Sequence, residues 1–144
     1  MGEYFVELRN LAALKIDKIE NTKNYLITVP IGVKNSLARI MGVSNSTVGN
    51  GIMPVEYGEL GVTVLREMDC NPSVSIKSEI IVNLSDTYKV GVSFEVVSDV
   101  SEFSKTKKFR AIIDGSELVY TYKHNVENSL ANDVYDALKA KLSV

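Results

Sequence analysis

Residues 73–96 read SVSIKSEIIVNLSDTYKVGVSFEV, and the reading of this stretch decides the fold. Side chains alternate between the two faces of an extended chain. Val74, Ile76, Ile80, Val82 and Leu84 therefore share one face, with Ser73, Ser75, Lys77, Glu79 and Asn83 on the other. The pattern predicts a strand of about twelve residues, longer than the usual ~5–6. The following residues repeat it: Tyr88, Val90, Val92, Phe94 and Val96 alternate with Thr87, Lys89, Ser93 and Glu95.

Register tests the connection. A two-residue turn at Ser85-Asp86 would place Leu84 opposite Thr87 and set apolar against polar positions along the whole pair. A loop of three or five residues around Ser85-Asp86-Thr87 restores the match and pairs Val82 with Val90 and Ile80 with Val92. The segment is thus expected to be a long antiparallel hairpin with one buried and one wet face.

Toward the C-terminus, Asp114-Gly115 between Ile113 and Ser116 has the composition of a type I′ turn, whose two central residues both take positive φ. That turn pairs Ala111 with Leu118, Phe109 with Tyr120 and Lys107 with Tyr122. Alternation starts at Leu60, Val62 and Val64 and is sustained in segments to residue 123. Val126, Leu130, Val134 and Leu138 then recur every four residues, predicting an amphipathic helix over 126–142 with Lys139 and Lys141 near the negative end of its dipole.

Toward the N-terminus, Phe5, Leu8, Ala12, Ile16 and Ile19 stand three and four apart and predict a helix over 3–19. Its wide apolar stripe, extended by Val6, Leu11 and Leu14, is expected to be buried against the sheet. Asn21 to Asn24 interrupt the pattern. From Tyr25 the period reads as two, with Tyr25, Ile27, Val29, Ile31 and Val33 on one face of a strand that Pro30 would place at an edge. Residues 35–41 suit a short helix, and 42–59, with its glycines and Pro54, reads as loop.

The expected architecture is α+β: one domain over residues 1–144, with an antiparallel sheet of five to six strands and long hairpins, flanked by an N-terminal and a C-terminal amphipathic helix. The composition agrees. The chain has 144 residues, 45% hydrophobic and 24% charged, with a formal net charge of −2 and a single cysteine. This length supports a core without disulfides or metal. No apolar run approaches the ~18 residues of a membrane span. Met1-Gly2-Glu3 leads into mixed charged and apolar residues rather than a secretory leader, so the expected location is the cytoplasm.

Catalytic chemistry is sparsely represented. His124 is the single histidine, which excludes HExxH and two-histidine mechanisms. Cys70 has no partner that spacing brings to it. Gly49-Asn50-Gly51 is followed by Pro54 rather than by a glycine or GK[ST], so a turn is expected there rather than a phosphate loop. Glu56, Glu59, Glu67 and Asp69 are acidic residues of a loop-rich stretch, where carboxylates are ordinarily solvated. The expectation is a non-enzymatic chain with no cofactor and no metal.

Two stretches bear on nucleic acid. Residues 34–48, KNSLARIMGVSNSTV, resemble the helix-turn-helix of DNA-binding repressors. The resemblance implies Ala38 as the small residue at the helix approach, Gly42 in the turn and Val48 as an apolar anchor. Asn45, Ser46 and Thr47 would then face the major groove. Gly49 and Gly51 would each cost such a second helix ~1 kcal/mol. The second stretch, Lys105-Thr106-Lys107-Lys108-Phe109-Arg110, is the one strong basic run. Its residues Lys105, Lys107, Lys108 and Arg110 could track phosphates beside an aromatic ring. Strand alternation splits them between two faces, and a charged edge strand that resists aggregation accounts for them as well. The net charge of −2 supplies no overall field to gather DNA.

The leading expectation is therefore a structural or assembly subunit acting through self-association or contacts with other structural subunits, of which a small phage or virus component of capsid, neck or tail is one form. A helix-turn-helix-like DNA-binding regulator using residues 34–48 is the alternative, and a small-ligand or peptide-binding module using the loop 42–59 is a third. No membrane partner is expected.

Overall fold

A computed structural model describes residues 2–43, 47–49, 51–65, 72–123 and 125–143. The order of elements is α1 (Glu3–Ile40), β1 (Val55–Leu65), β2 (Ser73–Asn83), β3 (Lys89–Asp99), α2 (Val100–Thr106), β4 (Lys108–Ile113), β5 (Ser116–Thr121) and α3 (Val126–Leu142). The five strands form one antiparallel sheet in the order β1-β2-β3-β4-β5, an up-and-down meander in which neighbours in sequence are neighbours in space. This is an α+β fold with helices at both ends of the chain, as expected.

The central hairpin follows the register its side chains require. Val82 pairs with Val90 and Ile80 with Val92, and the ladder closes at Asn83 and Lys89 around a five-residue loop. Asp114 and Gly115 both have positive φ, 50° and 89°. Across them Ala111 faces Leu118 and Phe109 faces Tyr120, the geometry of a type I′ turn. The Tyr122 N–H continues the ladder to the Lys107 carbonyl at 2.7 Å.

One sheet face carries the core. Val74, Ile76, Ile80, Val92, Phe94, Val96, Phe109 and Ala111 are buried there beneath α1 and α3. The opposite face presents Lys77, Ser93, Glu95 and Arg110. Two polar side chains on the buried side have their needs met locally. Ser78 Oγ donates to the Phe94 carbonyl at 2.9 Å, and Ser98 Oγ to the Lys108 carbonyl at 2.8 Å. Such bonds offset the cost of burying a hydroxyl.

Three expectations about the secondary-structure elements need correction. First, residues 25–33 are helix rather than strand, and α1 runs unbroken through 38 residues with Pro30 inside it. Leu26, Val29, Val33 and Leu37 stand three, four and four apart and are all buried. Because residues 25–33 are apolar nearly all round, they satisfy a period of two as well as one of 3.6, and only packing separates the two. Tyr25 and Ile31, members of the supposed strand face, are exposed on the flanks of the helix. Pro30 removes the N–H that would bond the Leu26 carbonyl, but its ring is buried in the core.

Second, β1 begins at Val55, inside the segment read as loop. A bulge between Glu59 and Gly61 shifts its register, so the inward face changes from odd to even residues and no single alternation spans the strand. Third, the alternation between 60 and 123 is broken by α2, a short helix that buries Val100 and Phe103 at a helical spacing.

Candidate interaction surface

The first half of α1 contradicts the expectation that the stripe over 3–19 is buried. Every residue from Gly2 to Lys18 is exposed, and the buried run starts at Ile19. The cause is length. At 1.5 Å per residue α1 is about 57 Å long, whereas the 11-residue central strands span about 36 Å. A helix of that length overhangs whatever the sheet can cover. Its projecting segment, Glu3 to Lys18, is about 24 Å long.

The overhang is not a polar stalk. Tyr4, Phe5, Leu8, Leu11, Leu14 and Ile16 are exposed along it, Tyr4 at 85% and Leu8 at 66%. Tyr4, Leu8, Leu11 and Ala12 continue the face that farther along holds Thr22, Leu26, Val29 and Pro30 against the core, since residues eighteen apart point the same way from a 3.6-residue helix. Contiguous apolar surface of this kind marks interaction sites on soluble proteins.

Where the segment enters the body, aromatic rings gather. Tyr25 lies 5.3 Å from Tyr122 and 6.0 Å from Phe103, centroid to centroid. Lys107 Nζ stands 5.2 Å from both the Tyr25 and the Phe103 ring centroids. Lys107 is itself the left-handed cap of α2, with φ 59° and its N–H bonded to the Phe103 carbonyl. The cluster ties α1 to the β3–β4 connection and anchors the base of the overhang.

The basic run is distributed over three settings. Lys105 is in the last turn of α2 and Lys107 lies over the aromatic cluster. Lys108 and Arg110 are exposed on β4, with Arg110 Nη1 3.2 Å from Glu117 Oε1. Continuous strand alternation would have put Lys105 and Lys107 together on one face; instead α2 and its cap take both out of the strand, and only Lys108 and Arg110 lie on β4.

Residues 34–40 of the helix-turn-helix-like stretch are the last turns of α1, ended at Gly42 with φ 73° and an N–H from Val43 to the Ala38 carbonyl. Thr47 and Val48 are in no helix. Val48 N–H bonds the Ile52 carbonyl, Ile52 N–H bonds the Gly49 carbonyl, and Gly49 and Gly51 take positive φ, a conformation that stops a right-handed helix. Asn45, Ser46, Cys70 and His124 lie outside the described residues, so the remaining major-groove candidates are not placed.

A surface groove of about 390 Å³ runs between the end of α1 and the start of β1, lined by Lys34, Arg39, Val43, Met53 and Pro54 among others. Among the described residues no group of three His, Cys, Asp or Glu side chains is placed to hold a metal ion. No helix among them is long and apolar enough to cross a membrane.

Among the described residues the most perturbed titrating group is Tyr120, whose hydroxyl donates to Asp133 on α3. Partial burial, then the hydrogen bond and the charge of Asp133, push its pKa well above the ordinary tyrosine value. Tyr57 is raised as well, by burial and then by Glu59. Both shifts stabilise a neutral phenol and provide no nucleophile or base near neutrality.

The projecting face of α1 was missed as a surface by sequence reasoning. The available signal was its extent: a mainly apolar stripe, interrupted at Lys15, runs from Tyr4 to Leu37, longer than one small sheet can cover. No protein family, no curated protein and no solved structure matches this chain.

Proposed function

We propose that this chain is a non-enzymatic assembly subunit that acts through subunit–subunit contacts, with the projecting segment of α1 as its principal contact. One observation carries the reading: the core-facing stripe of α1 continues for about 24 Å beyond the body with its apolar side chains exposed. An isolated helix of this length is marginal in water. Here it propagates from a helix already fixed in the core, which keeps the segment formed and ready to dock.

Light scattering and sedimentation between about 1 and 200 μM test the proposal, a range that brackets weak and moderate association. The weight-average mass is expected to rise above the 15.9 kDa of one chain and to return to it in Leu8→Glu and Leu11→Glu, with circular dichroism unchanged in the body. A chain that stays monomeric throughout, or one whose Leu8→Glu and Leu11→Glu variants associate as well as the parent, overturns it.

A further inference from the structure

The occupant of the exposed stripe is written in the charges on and beside it, Lys15 standing on the stripe itself, eighteen residues before the buried Val33. Glu3 and Glu7 are at the far end of the projecting segment, and Lys15 and Lys18 are at the end next to the body. Glu3 and Glu7 are four apart and Lys15 and Lys18 three apart, so each pair sets like charges side by side, which disfavours a helix standing alone. None of the four has an opposite charge three or four residues away along α1. Farther along, inside the body, Glu20 and Lys23 do have that spacing and meet at 3.1 Å. The helix dipole accounts for the two glutamates at the start of α1. It does not account for the lysines, which stand in the middle of a helix that continues to Ile40.

We propose that the projecting segment pairs antiparallel with the same segment of a second copy, about a two-fold axis passing near Leu11. The inference rests on the assembly reading and names its partner. Leu11 lies at the middle of the exposed run Glu3–Lys18. An antiparallel pair centred there sets Glu7 level with Lys15 of the second copy and within one turn of its Lys18, and keeps Leu8 and Leu11 of both copies at the seam. A two-fold axis perpendicular to the helices brings like flanks together, and Glu7 and Lys18 are on the same flank of the stripe. Each acidic end thus meets a basic end twice by symmetry.

Covering Tyr4, Phe5, Leu8 and Leu11 on both copies removes on the order of 1,000 Å² of apolar surface. That is the lower edge of a specific interface and suits association at micromolar concentrations. A membrane surface is the less suitable occupant. Amphipathic helices that lie on lipid have a polar face rich in Lys and Arg. Here Glu3, Glu7 and Asp17 balance Arg9, Lys15 and Lys18.

Disulfide trapping in the full chain, with Cys70→Ser as background, tests the arrangement. Leu11→Cys stands at the axis and is expected to form a covalent dimer under mild oxidation. Tyr4→Cys is expected to form none, because the two introduced thiols would be roughly 20 Å apart, far beyond disulfide reach. Glu7→Lys and Lys15→Glu are each expected to raise the dimer dissociation constant roughly fivefold, and the Glu7→Lys/Lys15→Glu double variant to restore it.

Equal trapping of the Tyr4→Cys and Leu11→Cys variants, or no rescue by the double charge variant, overturns the antiparallel pair. If the chain still associates and Leu8→Glu still abolishes it, the assembly reading survives that failure. A monomer at about 200 μM overturns both, including one that sediments with anionic phospholipid vesicles.

Discussion

Leu8 and Leu26 point in the same direction from α1, about five turns apart, yet Leu8 is 66% exposed and Leu26 is 0% exposed. One helix face thus has two environments, and the same substitution should report differently at each. Leu26→Ala is expected to cost about 2–5 kcal/mol of unfolding free energy through lost burial and the cavity left behind. Leu8→Ala should change the stability of the isolated chain by no more than ~0.5 kcal/mol and weaken self-association instead. Urea unfolding below the association midpoint, paired with sedimentation above it, separates the two effects. Equal destabilisation at both positions would show that residues 3–18 pack on the body.

The crossing of α1 and α3 supplies a second test. A β-carbon added at Gly32 would lie 2.6 Å from Glu127 Cγ, in the middle of that side chain rather than at its free end. Gly32→Ala is therefore expected to destabilise by about 1–3 kcal/mol through overpacking. Glu127→Ala in the same chain should recover most of the loss, and a double-mutant cycle by chemical denaturation measures the coupling.

The β4–β5 turn depends on its glycine for a backbone reason alone. Gly115 has φ 89°, and an added β-carbon would meet nothing within 4 Å. Gly115→Ala should lower stability by about 1 kcal/mol, and Gly115→Asn by less, since Asn tolerates left-handed backbone better. Lys141 Nζ, 3.2 Å from Asp114 Oδ1 and partly exposed, should contribute well under about 1 kcal/mol, so Lys141→Ala is expected to change the thermal midpoint little.

Alkaline pH should unfold the protein in part through Tyr120. Its folded-state pKa is raised by burial first and then by Asp133, so between the unfolded value of about 10 and the higher folded value the native state holds the extra proton. The sign follows: this contribution is fully present below about pH 10 and lost as pH rises toward the folded value. Tyr120→Phe should cost about 1 kcal/mol at neutral pH for the lost hydrogen bond and flatten the decline above about pH 10. An unchanged alkaline slope in that variant would assign the decline to other groups, Tyr57 first.

The sheet was legible in the sequence wherever one period excluded the other. Between Ser73 and Val96 alternation admits no helix, and matching Val82 to Val90 gave the observed register with a loop of three or five residues, of which the structure has five. Asp114-Gly115 specified its turn because few other dipeptides take two positive φ values at low cost. Residues 25–33 were illegible for the opposite reason. Tyr25, Leu26, Ile27, Val29, Ile31 and Val33 serve either period, and helix won because Leu26, Val29 and Val33 then join Ile19 and Leu37 in one core. The bulge in β1 hid a strand in the same way, by changing which residues face inward.

By itself, then, the sequence determined the local rules of this protein: which residues alternate, where turns are compatible with the backbone, and that α1 carries an apolar stripe. The tertiary structure alone decided which part of that stripe is core and which is surface. Periodicity is a property of one element, whereas burial depends on how far its neighbours extend, and the sheet ends before the helix does. Tyr4, Leu8 and Leu11 owe their exposure to that difference in length.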